Sequence, residues 1–184
     1  EVLGEICVNA IRSQTIIKNF SNHYGDHQEL KKIELKKFIE EVITLTKSET
    51  KEIQKNIENI GFKDHERIEI ETNSSYLTQI IFNLIINAAQ AIKSENIRTQ
   101  NNSIIIKLIK TENTVTLAVV DDGPGVKSDL AINIFEPFFT TKDSGTGLGL
   151  SICQNLATQL GSKIHFQNNS PFPGATFSIN LPLV

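Results

Sequence analysis

The sequence predicts an α+β sandwich, with helices covering one face of a mixed, mostly antiparallel sheet, and three observations carry that expectation. Two runs of alternating apolar residues, SIIIKLIK and TVTLAVV, are joined by the short polar turn TENT, the pattern of a hairpin. QIIFNLIINAAQAI (79–92) repeats Ile80, Ile81, Leu84, Ile85, Ala88, Ala91 and Ile92 at the three-and-four spacing of a helix with one apolar stripe. Strands and helices follow one another without a regular βαβ alternation, which argues against a doubly wound parallel sheet.

From the N-terminus, Leu3, Ile6, Ala10, Ser13, Ile17 and Phe20 recur in steps of three and four, the seam of a coiled coil or helical bundle that needs a partner. This helix stops near the turn-formers Asn22, Gly25 and Asp26, and a Lys- and Glu-rich linker follows. ELKKIELKKFIEEVITL reads as a strand leading into an amphipathic helix, with Ile39, Val42, Ile43 and Leu45 available for the core and alternating charges on a solvated face. KNIENI and RIEIET are strand candidates, then come the asparagine-bearing helix and the hairpin. An irregular stretch runs from Asp121 to Thr146, a helix from about Leu148 to Leu160, and the final strands are SKIHFQ and ATFSINL. The expected domains are 1–24, a linker over 25–34, and 35–184.

Bulk properties exclude several classes. The chain has 184 residues, with 18 basic against 21 acidic side chains and a net charge of −3, which provides no electrostatic footprint for nucleic acid or an anionic membrane. The longest apolar runs fall well short of the roughly 20 residues a bilayer demands, and no basic-then-apolar signal opens the sequence. A soluble, cytoplasmic piece is expected. The initial Glu1 and the absence of Met suggest a part of a longer parent, whose own attachment to a membrane this stretch leaves open. Cys7 and Cys153 have neither metal-ligand spacing nor a disulfide pattern and read as reduced, buried hydrophobes.

The chemistry is expected where local rules are broken. Asn83 and Asn87 stand one turn apart on an otherwise apolar helix, and an amide left unpaired away from water costs about 1–3 kcal/mol. Something must hydrogen-bond or coordinate there. VVDDGPGV ends a β run with Asp121 followed by Gly123 and Gly125, so the backbone turns sharply and comes close to a ligand, while an Asp accepts from an exocyclic amine such as that of adenine; the bare string also fits a plain turn. SGTGLGLS places Gly145, Gly147 and Gly149 just before an apolar helix, where free N–H groups and the positive helix end suit phosphate oxygens, although a glycine-rich helix start needs no ligand. Its spacing is neither that of a Rossmann fingerprint nor of a P-loop. Between them, FEPFFTTK bunches Phe135, Phe138 and Phe139, either as a plug of core residues or as a lid over a ligand, and Lys142 adds a cation near the expected phosphates.

In this order the motifs resemble the ATP-binding catalytic domain of two-component sensor histidine kinases, within the wider group of gyrase, mismatch-repair and chaperone ATPases that share the Bergerat-type fold. The resemblance covers roughly Leu35 to the C-terminus. QIIFNLIINAAQAI looks like the N box, DDGPG the first glycine box, FEPFF the F box, GTGLGL the second glycine box and GATFSINLP the closing glycine-strand motif. It implies that Asn87, with Asn83 beside it, holds a Mg²⁺ ion on the triphosphate of ATP. It also implies that Asp121 bonds the adenine amine, that Gly123 and Gly125 let the backbone pass the base, and that Thr176 lines the adenine pocket. Gly145, Gly147, Leu148 and Gly149 would present amides to the phosphates, with Phe138, Thr141, Lys142 and Thr146 also against the nucleotide.

Many members carry a Lys or Arg three residues after the second Asn and a Tyr after that, where this sequence has Gln90 and Ala91. The TTK form of the loop in nitrogen-regulator-like kinases suggests that Lys142 supplies the missing cation. Related ATPases place a general-base Glu one turn before the metal-binding Asn; Asn83 has no such basicity, so an external nucleophile is better served than water. The resemblance thus implies Asn83, Asn87 and Lys142 as the catalytic set.

The resemblance further implies a homodimer through the helical hairpin, of which Leu3 to Phe20 would be the tail, and transfer from an acceptor His to an Asp of a response-regulator receiver domain. The family acceptor is a His followed by an acidic residue, and none of His23, His27, His65 or His165 fits. A fragment that binds ATP and does not phosphorylate itself is expected, with an anti-sigma-factor-type serine kinase or a non-catalytic nucleotide-sensing module as the alternatives.

Overall fold

The computed structural model describes residues 29–63, 66–94, 102–142, 145–171 and 173–184. The expected bundle helix Leu3 to Phe20, the turn at Asn22, Gly25 and Asp26, and Cys7, His23, His27 and His65 lie outside the described residues. Among the described residues the order is β1 (Lys31–Glu34), α1 (Leu35–Leu45), β2 (Gln54–Ile60), β3 (Glu69–Thr72), α2 (Ser74–Ser94), β4 (Ser103–Lys110), β5 (Thr114–Asp121), α3 (Gly149–Gln159), β6 (Ile164–Asn168) and β7 (Ala175–Pro182). The final residues of the stretch expected as a linker are thus strand β1, paired antiparallel with β3 through Ile33 and Ile70.

The main sheet has the order β2-β4-β5-β7-β6. Only β2 and β4 run parallel among its neighbours, and β4–β5, β5–β7 and β6–β7 are antiparallel. The pleat sorts the side chains: Ile104, Ile106 and Leu108 of β4, Val115, Leu117 and Val119 of β5, and Phe177, Ile179 and Leu181 of β7 are buried, and each step of two returns to the helix-covered face. α2 packs against β4, β5, α1 and α3, and α3 against β6, giving the two-layer sandwich. Each such aliphatic side chain taken out of water contributes about 1.5–3 kcal/mol, so the sheet and helix layers hold one another rather than standing alone.

Local rules set the helix ends. Glu34 caps α1, its carboxylate accepting from the Lys36 and Lys37 backbone N–H groups at 3.2 and 3.0 Å, and Asn73 Oδ1 accepts from the Tyr76 N–H at 3.1 Å to start α2. Leu45, expected in the core, is 61% exposed. The apolar stripe Leu35, Ile39, Val42 steps on by four to Thr46, which is buried, and so leaves Leu45 rotated toward solvent. No helix among the described residues is long and apolar enough to cross a membrane.

Candidate functional site

α2 is the spine of the site. Its buried stripe (Ile80, Ile81, Leu84, Ile85, Ala88, Ile92) faces the sheet, while Asn83, Asn87, Gln90 and Ala91 are half-buried on its other edge. Those four meet three other segments between them. Asn83 lies beside the Cys153 thiol of α3, which itself donates to the Ile80 carbonyl at 3.8 Å, and Asn87 faces Gly149 at the start of α3. Gln90 bonds Lys142 at 2.8 Å, and Ala91 backs Gly123. One helix edge therefore gathers motifs that lie up to 70 positions apart in the chain.

At one end β5 terminates in Asp121, only 4% exposed. Its Oδ1 accepts from the Gly123 N–H at 2.9 Å and from the Ala175 N–H at 3.2 Å. The Asp121 carbonyl accepts from Asn169 Nδ2 at 2.8 Å, and Asn169 Oδ1 accepts from the Thr176 hydroxyl at 2.6 Å. Oδ2 has no protein donor among the described residues. Burial pushes the carboxyl up to about 6, against the two backbone donors that favour its charged form. Gly123 is required for packing: a methyl there would lie 2.9 Å from Asp121 Oδ1 and 3.2 Å from Ala91 Cβ. Asp122 does something else, accepting from the Ser103 N–H at 3.0 Å to secure the start of β4.

At the other end α3 begins at Gly149 with no side-chain cap and no acidic residue in its first turn. Among the described residues no side chain compensates its first N–H groups and positive end, which suits an anion. A Cβ on Gly149 would sit 3.5 Å from Asn87 Nδ2 and 3.8 Å from Oδ1, so the Asn87 amide and the helix start enclose one space. No protein group among the described residues hydrogen-bonds the Asn87 side chain. This donor set fits Mg²⁺: a hard amide oxygen on a half-exposed edge, beside a place for phosphate oxygens, matches an ion that uses one or two protein ligands and keeps water. Asn83 is less available, since its amide already meets Cys153, whose thiol burial pushes up to about 12. One turn before Asn83, Gln79 Nε2 is buried with no partner among the described residues.

The loop between the two ends is partly plug. Phe135 meets Phe177 edge-on with centroids 6.5 Å apart, and Phe139 packs on the core, whereas Phe138 is 74% exposed at φ 66°. Gly147 lies against the Phe138 backbone, with φ 66° and no room for a Cβ. Gly145 is closed against Thr140 and bonds the Lys142 carbonyl at 3.1 Å; Thr146 Oγ1 accepts from the Leu148 N–H at 3.5 Å. Burial pushes the Lys142 ammonium below the usual lysine value, partly opposed by the Asp121 carboxylate. Gly125 turns at φ 77° beside Asn168, and Thr141 is exposed.

Sequence reasoning missed Asn169, which ties Asp121 to Thr176, and Cys153 as a neighbour of Asn83; the Asn-Asn pair before the GATF strand was a signal for the first.

The family described as "Histidine kinase-, DNA gyrase B-, and HSP90-like ATPase" matches residues 72–184. The signal transduction histidine-protein kinase AtoS of Escherichia coli (strain K12) is 32% identical over 158 residues, 85% of this chain and 24% of that protein. The chain thus spans about a quarter of the length of that relative. The catalytic domain of histidine kinase ThkA superposes with a TM-score of 0.70 at 31% identity, covering 84% of this chain and 95% of that one. Histidine kinase ThkA in complex with response regulator protein TrrA gives a TM-score of 0.73 at 27% identity, over 97% of this chain and 49% of that one.

Proposed function

Because this chain belongs to the family of histidine kinase-, DNA gyrase B- and HSP90-like ATPases, we propose that it is the ATP-binding catalytic part of a protein-histidine kinase, which places the γ-phosphoryl of ATP before a His on a dimerisation hairpin. The single observation that carries the reading is the α2 edge, where Asn87 faces the uncapped start of α3 and Ala91 backs the Asp121–Gly123 turn. A base pocket and a phosphate pocket thereby share one wall.

Each residue has a defined task. Asp121 Oδ2, with Oδ1 already holding two backbone N–H groups, accepts from the exocyclic amine of adenine. Gly123 admits the base, Gly125 shapes the turn, and Thr176, oriented by Asn169, lines the pocket. Gly147 and Gly149 present backbone N–H groups to the phosphates, Gly145 and Leu148 would do so on giving up their bonds to the Lys142 carbonyl and Thr146 Oγ1, and Thr146, Phe138 and Thr141 flank them. Asn87, with Asn83 beside it, would hold Mg²⁺, which when bound neutralises phosphate charge and fixes its orientation. Lys142 contributes the side-chain cation. Asn83 in place of a carboxylate gives water no general base, so transfer to an external nucleophile is favoured over hydrolysis.

The partners follow from the same reading: a homodimer through the hairpin, and a response-regulator receiver Asp downstream. The ThkA–TrrA assembly is such a pairing for a related kinase. None of His23, His27, His65 or His165 has the acceptor pattern, so the chain alone binds ATP without labelling itself. The residues of 1–24 fit the tail of the hairpin and those from 35 onward the catalytic domain, and a cytoplasmic setting follows for it. Mixing the chain with labelled ATP and a separate acceptor hairpin tests this. Acid-labile label on a hairpin His is the expected result; label on Ser, or binding with no transfer, contradicts it.

A further inference from the structure

The Lys142 side chain reaches across the site to the α2 edge, where its Nζ donates to Gln90 Oε1 at 2.8 Å. We infer that Gln90 is a positioning residue that holds the Lys142 ammonium at the phosphate end of the nucleotide site, an inference that rests on the nucleotide reading above. Gln90 follows Asn87 by three positions and projects from the same edge of α2. A cation tethered to it is therefore carried within one helical turn of the amide that faces the start of α3.

The chemistry of the tether matters as much as its place. Lys142 has a long, flexible stem, and free in solvent it would sample many directions. Its backbone is fixed at both sides, the N–H bonded to Thr140 Oγ1 at 3.1 Å and the carbonyl to the Gly145 N–H at 3.1 Å. Gln90 fixes the far end. An amide oxygen accepts the ammonium without neutralising it, so the full positive charge is left to act on phosphate, whereas a carboxylate at the same point would cancel it. The half-buried setting of both groups weakens screening by water, which strengthens the attraction for an anion.

The experiment compares ATP with adenosine, which shares the base and lacks the phosphates, by titration calorimetry on the full chain with Mg²⁺ present. Gln90→Ala is expected to weaken ATP roughly tenfold, the size of a hydrogen bond to a charged group, and to leave adenosine unchanged. Gln90→Glu, equal in shape, is expected to weaken ATP as well. Lys142→Ala weakens ATP, and adding Gln90→Ala to it weakens ATP no further, because the contribution of Gln90 passes through Lys142. Equal losses for ATP and adenosine, multiplicative losses in the double variant, or unchanged ATP affinity in Gln90→Glu would each overturn the inference. If the wild-type chain bound neither ligand, the nucleotide reading itself would fall and take this inference with it.

Discussion

The two ends of the site are built by opposite means. Around Asp121 the protein supplies most of its own hydrogen bonds, with two backbone N–H groups on one carboxylate oxygen, Asn169 on the carbonyl and Thr176 on Asn169, and only Oδ2 is left without a donor among the described residues. Around Asn87 it leaves them open, with an amide that no described residue bonds and a helix start without a side-chain cap. The contrast follows from the ligand each end is shaped for. A planar base is recognised by a rigid edge in which little is left to order on binding. A multiply charged phosphate chain needs donors, dipoles and cations that the protein has not already spent on itself.

The strongest way to break the comparison is Asp121→Asn. The substitution keeps an oxygen for the Gly123 and Ala175 N–H groups and puts a donor where the adenine amine needs an acceptor. ATP affinity should fall about 100-fold, as when a built polar site meets a mismatched partner. The apo protein should move the other way. Asp121 has a folded value of about 6 against the usual 3.8, so the folded state binds its proton more tightly than the unfolded chain does. Its ionisation costs nothing below about pH 3.8, increasingly more between 3.8 and 6, and the full amount, on the order of 3 kcal/mol, above 6. The melting temperature of the Asn variant should exceed wild-type at pH 7.5, and the gap should shrink as the pH is lowered through 6 toward 4. A gap that widens on acidification contradicts the assignment.

A smaller effect is expected where the two ends are joined. Gly147→Ala adds a Cβ at φ 66° against the Phe138 backbone, which should cost about 1–3 kcal/mol of local strain. Because the strain falls on the loop before α3, ATP affinity should drop while adenosine affinity stays within about twofold, a loss of phosphate contacts alone. The smallest effect is that of Phe138→Ala on the apo protein. With the ring 74% exposed, chemical denaturation should change by no more than about 0.5 kcal/mol, whereas Phe135→Ala, which removes an edge-on ring from Phe177, should destabilise by about 3 kcal/mol or more.

How much of this was legible in the sequence divides along a similar line. The hairpin of β4 and β5 was plain, because every second residue from Ile104 to Leu108 and from Val115 to Val119 is apolar and one face of the pleat is buried. The anomaly of Asn83 and Asn87 was visible because it breaks a helical stripe, and Asp121 because it ends a strand before glycines. Long-range pairings were not visible: Gln90 with Lys142 is separated by 52 positions and the Thr176 side chain is linked to Asp121 through Asn169. Such contacts are made by the tertiary fold and leave no local periodicity. The roles of the three Phe residues were open for the same reason, since the partial burial of Phe135 and Phe139 beside an exposed Phe138 depends on where the sheet lies. Leu45 was misplaced by one helical step, a boundary effect at the end of α1.

The central claim is that phosphate and a divalent cation fill the space between Asn87 and the start of α3, and titration of ATP with and without Mg²⁺ into the wild-type chain and Asn87→Ala tests it most directly. The account predicts that Mg²⁺ strengthens ATP binding in the wild type, that this gain is lost in the variant, and that the apo melting temperature is unchanged because the Asn87 side chain bonds no described residue. A variant that keeps the full gain from Mg²⁺, or a wild type that shows none, would contradict it.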